Sequence, residues 1–388
     1  MTATTPRLRI AILAHSTNPR GGVVHALALA DALTELGHIA VLHAPDPSGR
    51  GFFRPSDCRT VSVPASPIGS DVAEMVEIRA GEYVSYFENA ANRGFDVWHA
   101  QDGISGNALA TLKERGLIPG FARTVHHIDS FHDPRLHAMQ LRAITSADRH
   151  FVVSRTWQDV LARDFGLAAP IVGNGVRRRE FSPVPDGTDA ILRRTLKLTG
   201  RPVFLSIGGV EERKNTLRLF DAFCRVRLTF PDAQFVIAGG ASVLDHTAWR
   251  CQFDAALAQS GLPSDAVQLT GPLPQHLMAA LYRSADTLVF PSVKEGFGLV
   301  VLEAMASGVP VVTSRIAPFT EYLGEGDVAW CDPQEPASIA EAMVASLAPA
   351  ARRTWIARGH ELAARHDWTT VAERHLAVYA ELAEPVHA

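Results

Sequence analysis

Short β-branched runs alternate with longer helical segments along the 388-residue chain, and the alternation stops once and restarts. "RIAILA" reads as a strand, and Val23 to Leu36 as a helix with apolar residues three and four apart. "IAVLHA", "DVWHA", "ARTVHHI" and "HFVVS" read as further strands. At "NGVRRREFSPVPDGTDA" the rhythm gives way to Pro, Gly, Asp and charge, the marks of a linker. It resumes with "PVFLSIGG", a helix through residues 215–228, "QFVIAGG", a helix from Asp245, "VQLTG", a helix from Gln275, "TLVFPS" and "PVVTS". Strands separated by helices imply parallel sheets covered on both faces. An α/β chain of two facing, Rossmann-like doubly wound domains follows, with a cleft at the carboxyl ends of the strands. The expected divisions are residues 1–176, 177–366 and 367–388. In the last of these the amphipathic segment Trp368 to Leu382 has no strand of its own to cover and is expected to pack across both domains.

Several function classes are disfavoured by bulk properties. A net charge of −4 gives no general reason to expect nucleic acid or anionic lipid as partner. No apolar run approaches the roughly 20 residues of a membrane span, and "MTATTPRLRIAILAHS" reads as a first strand and not a signal peptide. The segment Asp71 to Arg93 looks amphipathic, but Glu74, Glu77, Glu82 and Glu88 face only Arg79 and Arg93, so anionic lipid would repel it. Four scattered cysteines without a Cys-x-x-Cys pair disfavour structural zinc and disulfides, and fit a reducing cytoplasm.

Neither strand-to-helix turn carries Gly-x-Gly-x-x-Gly, and no Gly-Lys-Ser/Thr is present, which disfavours nicotinamide and P-loop chemistry. The turns still suit an anion. Gly21 and Gly22 precede the first expected helix, where backbone N–H groups are unpaired; the competing reading is a tight turn that needs glycine. Arg213 and Lys214 stand at the start of a helix, where cations oppose the helix dipole. They either face a bound diphosphate or pair with Glu211 and Glu212 in solvent.

In "PSVKEGFGLVVLEAMASG", Glu295 lies in the loop before an expected helix from about Leu299 to Ser307, and Glu303 lies on its second turn. Helical rise plus loop separates the two carboxylates by on the order of 10 Å. A retaining-hydrolase pair needs about 5 Å. Between them the N–H groups of Phe297, Gly298 and Leu299 offer a helix N-terminus to a phosphate. Hydroxyls at either carboxylate and phosphate between them describe a nucleotide sugar. The competing reading, a capped buried helix with two exposed acids, gives Glu295 and the Gly-Phe-Gly turn no purpose.

"EGFGL" with a second Glu eight residues after the first, then "AMASGVPVV", resembles the signature of retaining glycosyltransferases of the GT-B fold, family-4 type (group 1). The Gly-Gly turn, "TVH" at 124–126, "NGV" at 174–176, "ERKN" at 212–215 and "LYRSADTLVFPS" follow in the family's order. The resemblance spans nearly the whole chain and implies a final helix crossing back to the N-terminal domain. It implies a metal-independent hexosyltransferase with no cofactor, moving sugar from a nucleotide diphosphate donor to an acceptor hydroxyl. Glu303 would bind ribose; Glu295 with the Phe297–Leu299 backbone, donor sugar and β-phosphate; Arg213 and Lys214, the leaving diphosphate; His126, the reacting face. One departure stands out: many members read Gly-Arg where this chain has Gly208-Gly209, so one phosphate-binding arginine is missing.

His126, His127, Asp129, His132 and Asp133 could suggest a zinc site. Strand alternation, however, places His126 and His127 on opposite faces, and no Asp-x-Asp is present, so no metal is expected. Asp129 is the candidate to meet an acceptor hydroxyl. Two other functions remain open to the sequence: an epimerase of the same fold, and a non-catalytic nucleotide-sugar-binding protein.

Overall fold

Residues 7–240 and 247–383 are described by the computed structural model; the expected helix start at Asp245 lies outside them. The chain divides into one unit ending at Asn174 and rejoined from Trp368, and a second unit, Gly175–Asp367.

The first unit is built from β1 (Arg9–Leu13), α1 (Gly21–Glu35), β2 (Ile39–Asp46), β3 (Arg59–Pro64), α2 (Val72–Glu88), β4 (Val97–Ala100), α3 (Gly103–Glu114), β5 (Ala122–Val125), α4 (Pro134–Thr145), β6 (Arg149–Val152) and α5 (Arg155–Phe165). The strands are parallel in the order β3-β2-β1-β4-β5-β6. Inner strands β4 and β5 are buried throughout, as parallel strands covered on both faces must be. Trp98, Tyr83, Phe87 and Phe121 fill the core, each burial contributing roughly 1.5–3 kcal/mol.

The second unit repeats the plan with α6 (Thr188–Thr195), β7 (Val203–Ile207), α7 (Thr216–Arg227), β8 (Gln234–Ala238), α8 (Thr247–Gln259), β9 (Val267–Gly271), α9 (Met278–Arg283), β10 (Thr287–Phe290), α10 (Leu299–Ala306), β11 (Val311–Ser314), α11 (Phe319–Tyr322), β12 (Ala329–Cys331), α12 (Pro336–Ala345) and α13 (Pro349–Arg365). Its order is β12-β11-β10-β7-β8-β9. The winding direction changes between β7 and β10, which pair directly, Leu205 beside Leu288. Loops leaving such neighbours at their carboxyl ends diverge to opposite sides of the sheet and open a crevice, the ligand position of doubly wound sheets. Here those loops carry Arg213–Lys214 and Glu295.

The final helix, α14 (Trp368–Ala383), belongs to the first unit and packs on α1. Trp368, Val371, Ala372, His375 and Tyr379 form its buried face. The Arg374 guanidinium donates to the Val172 carbonyl at 3.1 Å. Among the described residues no helix is long and apolar enough to cross a membrane.

Three local readings of the sequence change. Gly21 and Gly22 are the first two residues of α1 and not the turn before it. β5 stops at Val125, so His126 and His127 lie beyond the strand, where alternation does not apply. Arg59–Pro64 and Ala329–Cys331, to which the sequence assigns no strand, are the edge strands β3 and β12.

Candidate active site

In the second unit the loops after β7 and β10 are stitched together by the backbone. Val293 N–H donates to the Arg213 carbonyl at 3.0 Å. Asn215, fully buried, stands at the N-cap position of α7 in the left-handed conformation at φ 59°, a conformation asparagine tolerates better than most residues. Its amide donates to the carbonyls of Pro291 (3.1 Å) and Pro333 (2.6 Å). With the loops so fixed, Glu295 Oε1 accepts from both Arg213 Nη1 and Lys214 Nζ at 2.6 Å. Arg213 also stands 3.6 Å from Glu211, whose side chain is buried, so this weak contact is not the solvated pairing that the sequence left open. Lys214 Nζ further lies 4.2 Å from the centre of the Phe290 ring, a cation–π contact.

Burial shapes the charges. It pushes the Glu295 carboxyl up, but Lys214 and Arg213 outweigh it and hold the group below the ordinary glutamate range. Burial also draws the Lys214 ammonium below the usual lysine value, with Glu295 pulling back. The Glu295 and Lys214 side chains are 8% and 10% exposed and Arg213 42%, which leaves the guanidinium as the accessible cation.

The "EGFG" turn is set by rings. Phe297 stacks on Tyr322 with centroids 4.6 Å apart and planes 2° from parallel, and the Tyr322 hydroxyl donates to the Phe297 carbonyl at 3.3 Å. Gly298 caps α10 at φ 92°, where a Cβ would stand 2.5 Å from Phe319 Cε1, so glycine is required. No side chain of the N-cap residue caps α10; Val301 N–H donates back to the Gly298 carbonyl at 3.0 Å, and the N–H groups of Leu299 and Val300 precede the first intrahelical acceptor. One turn in, Glu303 Oε2 accepts from the Tyr282 hydroxyl at 2.6 Å. Burial pushes Glu303 up to about 7, partly offset by Tyr282 and assisted by Glu180.

In the first unit, α1 likewise begins without a side-chain cap. Gly21 and Gly22 are outside the left-handed region, so no tight turn demands glycine there. A Cβ at Gly22 would sit 3.6 Å from His126 Cδ2, which places the His126 ring beside the helix start. His126 Nε2 donates to Gln101 Oε1 at 3.0 Å, and the His25 ring meets it edge-on at 4.7 Å. Burial, then the neighbouring His25 and His127, hold His126 well below the usual histidine value, so the ring is neutral at pH 7. His127 turns outward to Asp129 at 3.1 Å. The Asp129 backbone is pinned by Gln140, which accepts from its N–H and donates to its carbonyl. Asp133 caps α4 and pairs with Arg135. Among the described residues no three His, Cys, Asp or Glu groups converge as metal ligands.

Residues 19–179 match the model of Glycosyltransferase Family 4, and residues 188–359 that of Glycosyl transferases group 1. The chain belongs to the group 1 glycosyltransferases. It is a glycosyltransferase. It is similar to phosphatidyl-myo-inositol mannosyltransferase of Mycobacterium leprae, 31% identical over 239 residues, 60% of this chain and 58% of that one. The Mycobacterium tuberculosis protein of the same name is 26% identical over 395 residues, 96% of each chain. Among solved structures, sucrose-phosphate synthase from Thermosynechococcus elongatus superposes with TM-score 0.79 at 22% identity, covering 97% of this chain and 99% of that one. Anabaena HepE, in complex with UDP and glucose, gives 0.77 at 17%, covering 96% and 100%. These likenesses show the GT-B fold.

Within this glycosyltransferase, Glu295, Arg213 and Lys214 form one bonded cluster, with Phe297 and Gly298 following Glu295 in the same loop and Leu299 opening α10. Gly22 and His126 are neighbours in the first unit. Asp129 keeps company with His127 and not with His126. Sequence reasoning passed over Asn215, Gln101 and Tyr282. Asn215 and Tyr282 stand inside the quoted "ERKN" and "LYRSAD" segments, but their bonding partners lie 21 to 118 residues away. Gln101 directly follows β4 and carried no signal of its own.

Proposed function

We propose that this glycosyltransferase transfers a hexosyl group from a nucleotide diphosphate sugar to an acceptor hydroxyl, without a metal and with retention at the anomeric carbon. One observation carries the reading: a single glutamate oxygen held by two cations, in the loop that leads to an uncapped helix start and a second, half-buried glutamate. Relatives named as mannosyltransferases, and a similar structure solved with UDP and glucose, support the substrate class.

The roles follow from the chemistry of the groups. Glu303 accepts from ribose hydroxyls. Arg213 and Lys214 take the diphosphate, aided by the N–H groups of Phe297, Gly298 and Leu299. As the diphosphate engages the cations it competes with Glu295, whose carboxylate then accepts from donor-sugar hydroxyls. Gly21 and Gly22 open a helix start to the donor, and neutral His126 meets the sugar with its ring or backbone. Asp129 meets the acceptor.

In the reaction the bond from the anomeric carbon to the diphosphate oxygen breaks and the acceptor oxygen bonds on the same face. The acceptor proton passes to the departing phosphate oxygen. Catalysis is then positioning and charge stabilisation of an oxocarbenium-like state. Arg213 and Lys214 supply the positive charge for the leaving group, with no step needing a divalent ion.

The test is a melting-temperature panel with UDP, GDP, ADP, TDP and NAD, each with and without EDTA. It is followed by NMR of the product's anomeric proton from the donor whose diphosphate stabilises the protein. Stabilisation by one nucleoside diphosphate, indifferent to EDTA, and a retained anomer are expected. A metal-dependent shift or an inverted anomer overturns the reading.

A further inference from the structure

Glu303 and Tyr282 come from successive helices of the second unit, α10 and α9, which flank β10 in the chain and pack against each other. Tyr282 is fully buried, with its ring edge-on to Phe181 at 5.8 Å. Its hydroxyl donates to one oxygen of Glu303, Oε2, at 2.6 Å, a short charge-assisted bond of the stronger kind. A carboxylate offers about four acceptor positions on two oxygens. A bond to Oε2 fixes the rotamer of an otherwise adaptable side chain and leaves Oε1 available. A buried tyrosine whose hydroxyl serves only packing would be as well served by a backbone carbonyl, as Tyr83 is by Ala14 and His43.

We infer that Tyr282 is a positioning residue for donor recognition: it holds Glu303 by Oε2 so that Oε1 meets the ribose hydroxyls of the nucleotide. The inference deepens the proposed function and rests on its placing Glu303 at the ribose.

The surroundings of Glu303 give the arrangement a pH signature. From α9 it faces Tyr282, while Arg283 is turned to Asp186 and Asp189. From the segment before α6 comes Glu180, itself paired with Arg177 at 2.7 Å. On α13, which packs against α10, Arg358 is bound to Asp327, and His360 lies beside Gly308. Strands β10 and β11 present no titratable side chain. Burial and Glu180 raise the carboxyl, and the Tyr282 bond is what lowers it. Removing the hydroxyl therefore raises it further and moves the loss of ribose recognition to higher pH.

The experiment compares wild type, Tyr282→Phe and Glu303→Ala by calorimetry with UDP, GDP and ADP and with their 2′,3′-dideoxy counterparts, from pH 6 to 9. Steady-state donor kinetics are run alongside. For the ribonucleotide that binds wild type, Tyr282→Phe is expected to weaken affinity about tenfold at pH 7.5, the size of a hydrogen bond to a charged group. The midpoint of the pH dependence should move up, and the dideoxy form should bind both proteins alike. Donor KM should rise with kcat changed less than about threefold. Equal losses for ribo and dideoxy forms, or an unmoved midpoint, overturn the inference and leave Tyr282 a packing residue. If Glu303→Ala binds the ribonucleotide as wild type does, or wild type binds none, the placing of Glu303 at the ribose has failed instead, and the inference falls with it.

Discussion

The Lys214 side chain crosses directly over Gly208: a Cβ at 208 would stand 2.6 Å from lysine Cε and 3.1 Å from Cδ. The glycine is also at φ 125°, a backbone that L side chains rarely adopt. Gly208→Ala must then push Lys214 off Glu295 or bend the turn. A displacement of about 1 Å at a charge-stabilising group costs on the order of 10²-fold in rate. We expect kcat/KM to fall by about that factor, with an intact circular dichroism spectrum and a lower melting temperature. Full activity in Gly208→Ala would mean that Lys214 need not lie where the glycine admits it.

Glu295 occupies the two cations that the proposed diphosphate requires. Glu295→Gln keeps the shape and removes the competing charge. It should bind the free nucleoside diphosphate several-fold tighter, because Arg213 and Lys214 are released. It should also lower kcat by about 10²-fold or more, through loss of the sugar contact. The two effects run in opposite directions, which separates this role from general damage. Calorimetry with the nucleoside diphosphate and donor turnover measure them, and weaker diphosphate binding by the variant would rule the competition out.

The sheets were legible because parallel strands buried on both faces read as nearly continuous apolar runs, as "VFLSI" and "FVIA" do here. β3 was not: "RTVSVP" is mostly exposed, because as an edge strand it has a neighbour on one side alone. At the site, local features carried. Gly298 and the Glu295–Glu303 spacing lie in one stretch of chain. Nothing in the sequence gives the distance from Asn215 to Pro333 or from Tyr282 to Glu303, because those bonds depend on which strands are neighbours. His126 was placed by its motif, while the argument used to separate it from His127 failed, since β5 ends one residue too early. The two rings do diverge, through Gln101 on one side and Asp129 on the other.

Asp129 presents its carboxylate to His127, with both side chains substantially exposed. Asp129→Asn should raise acceptor KM by about three- to tenfold, with donor KM and the nucleotide-induced melting shift as in wild type. Unaltered turnover at subsaturating acceptor would remove Asp129 from the site.

The first unit holds a cluster of buried histidines gathered from distant parts of the chain. His375 of α14 lies 6.0 Å from His25 and 5.5 Å from His99 between ring centroids, and the Tyr379 hydroxyl meets His99 Nδ1 at 2.6 Å. Burial draws His25 down to about 4 and His375 to about 3, and takes His99 well below the ordinary value. The sign follows from proton counting. Between the ordinary histidine value of 6.5 and about 4 the unfolded chain binds protons that the folded unit refuses, so stability rises with pH across that window. It is fully present above 6.5 and is lost as the medium is acidified. Replacing His375, whose Nε2 has no partner, by phenylalanine removes one such site and keeps the contact with Phe151. His375→Phe should therefore lessen the slope of unfolding free energy against pH below 6 by up to about 1.4 kcal/mol per pH unit. Urea titrations at pH 7, 6, 5 and 4.5 measure it, with hydrogen exchange of α14 amides reporting the first unit. A slope identical to wild type would show that His375 is already protonated in the folded chain, and the link between α14 and acid sensitivity would have to lie with His99.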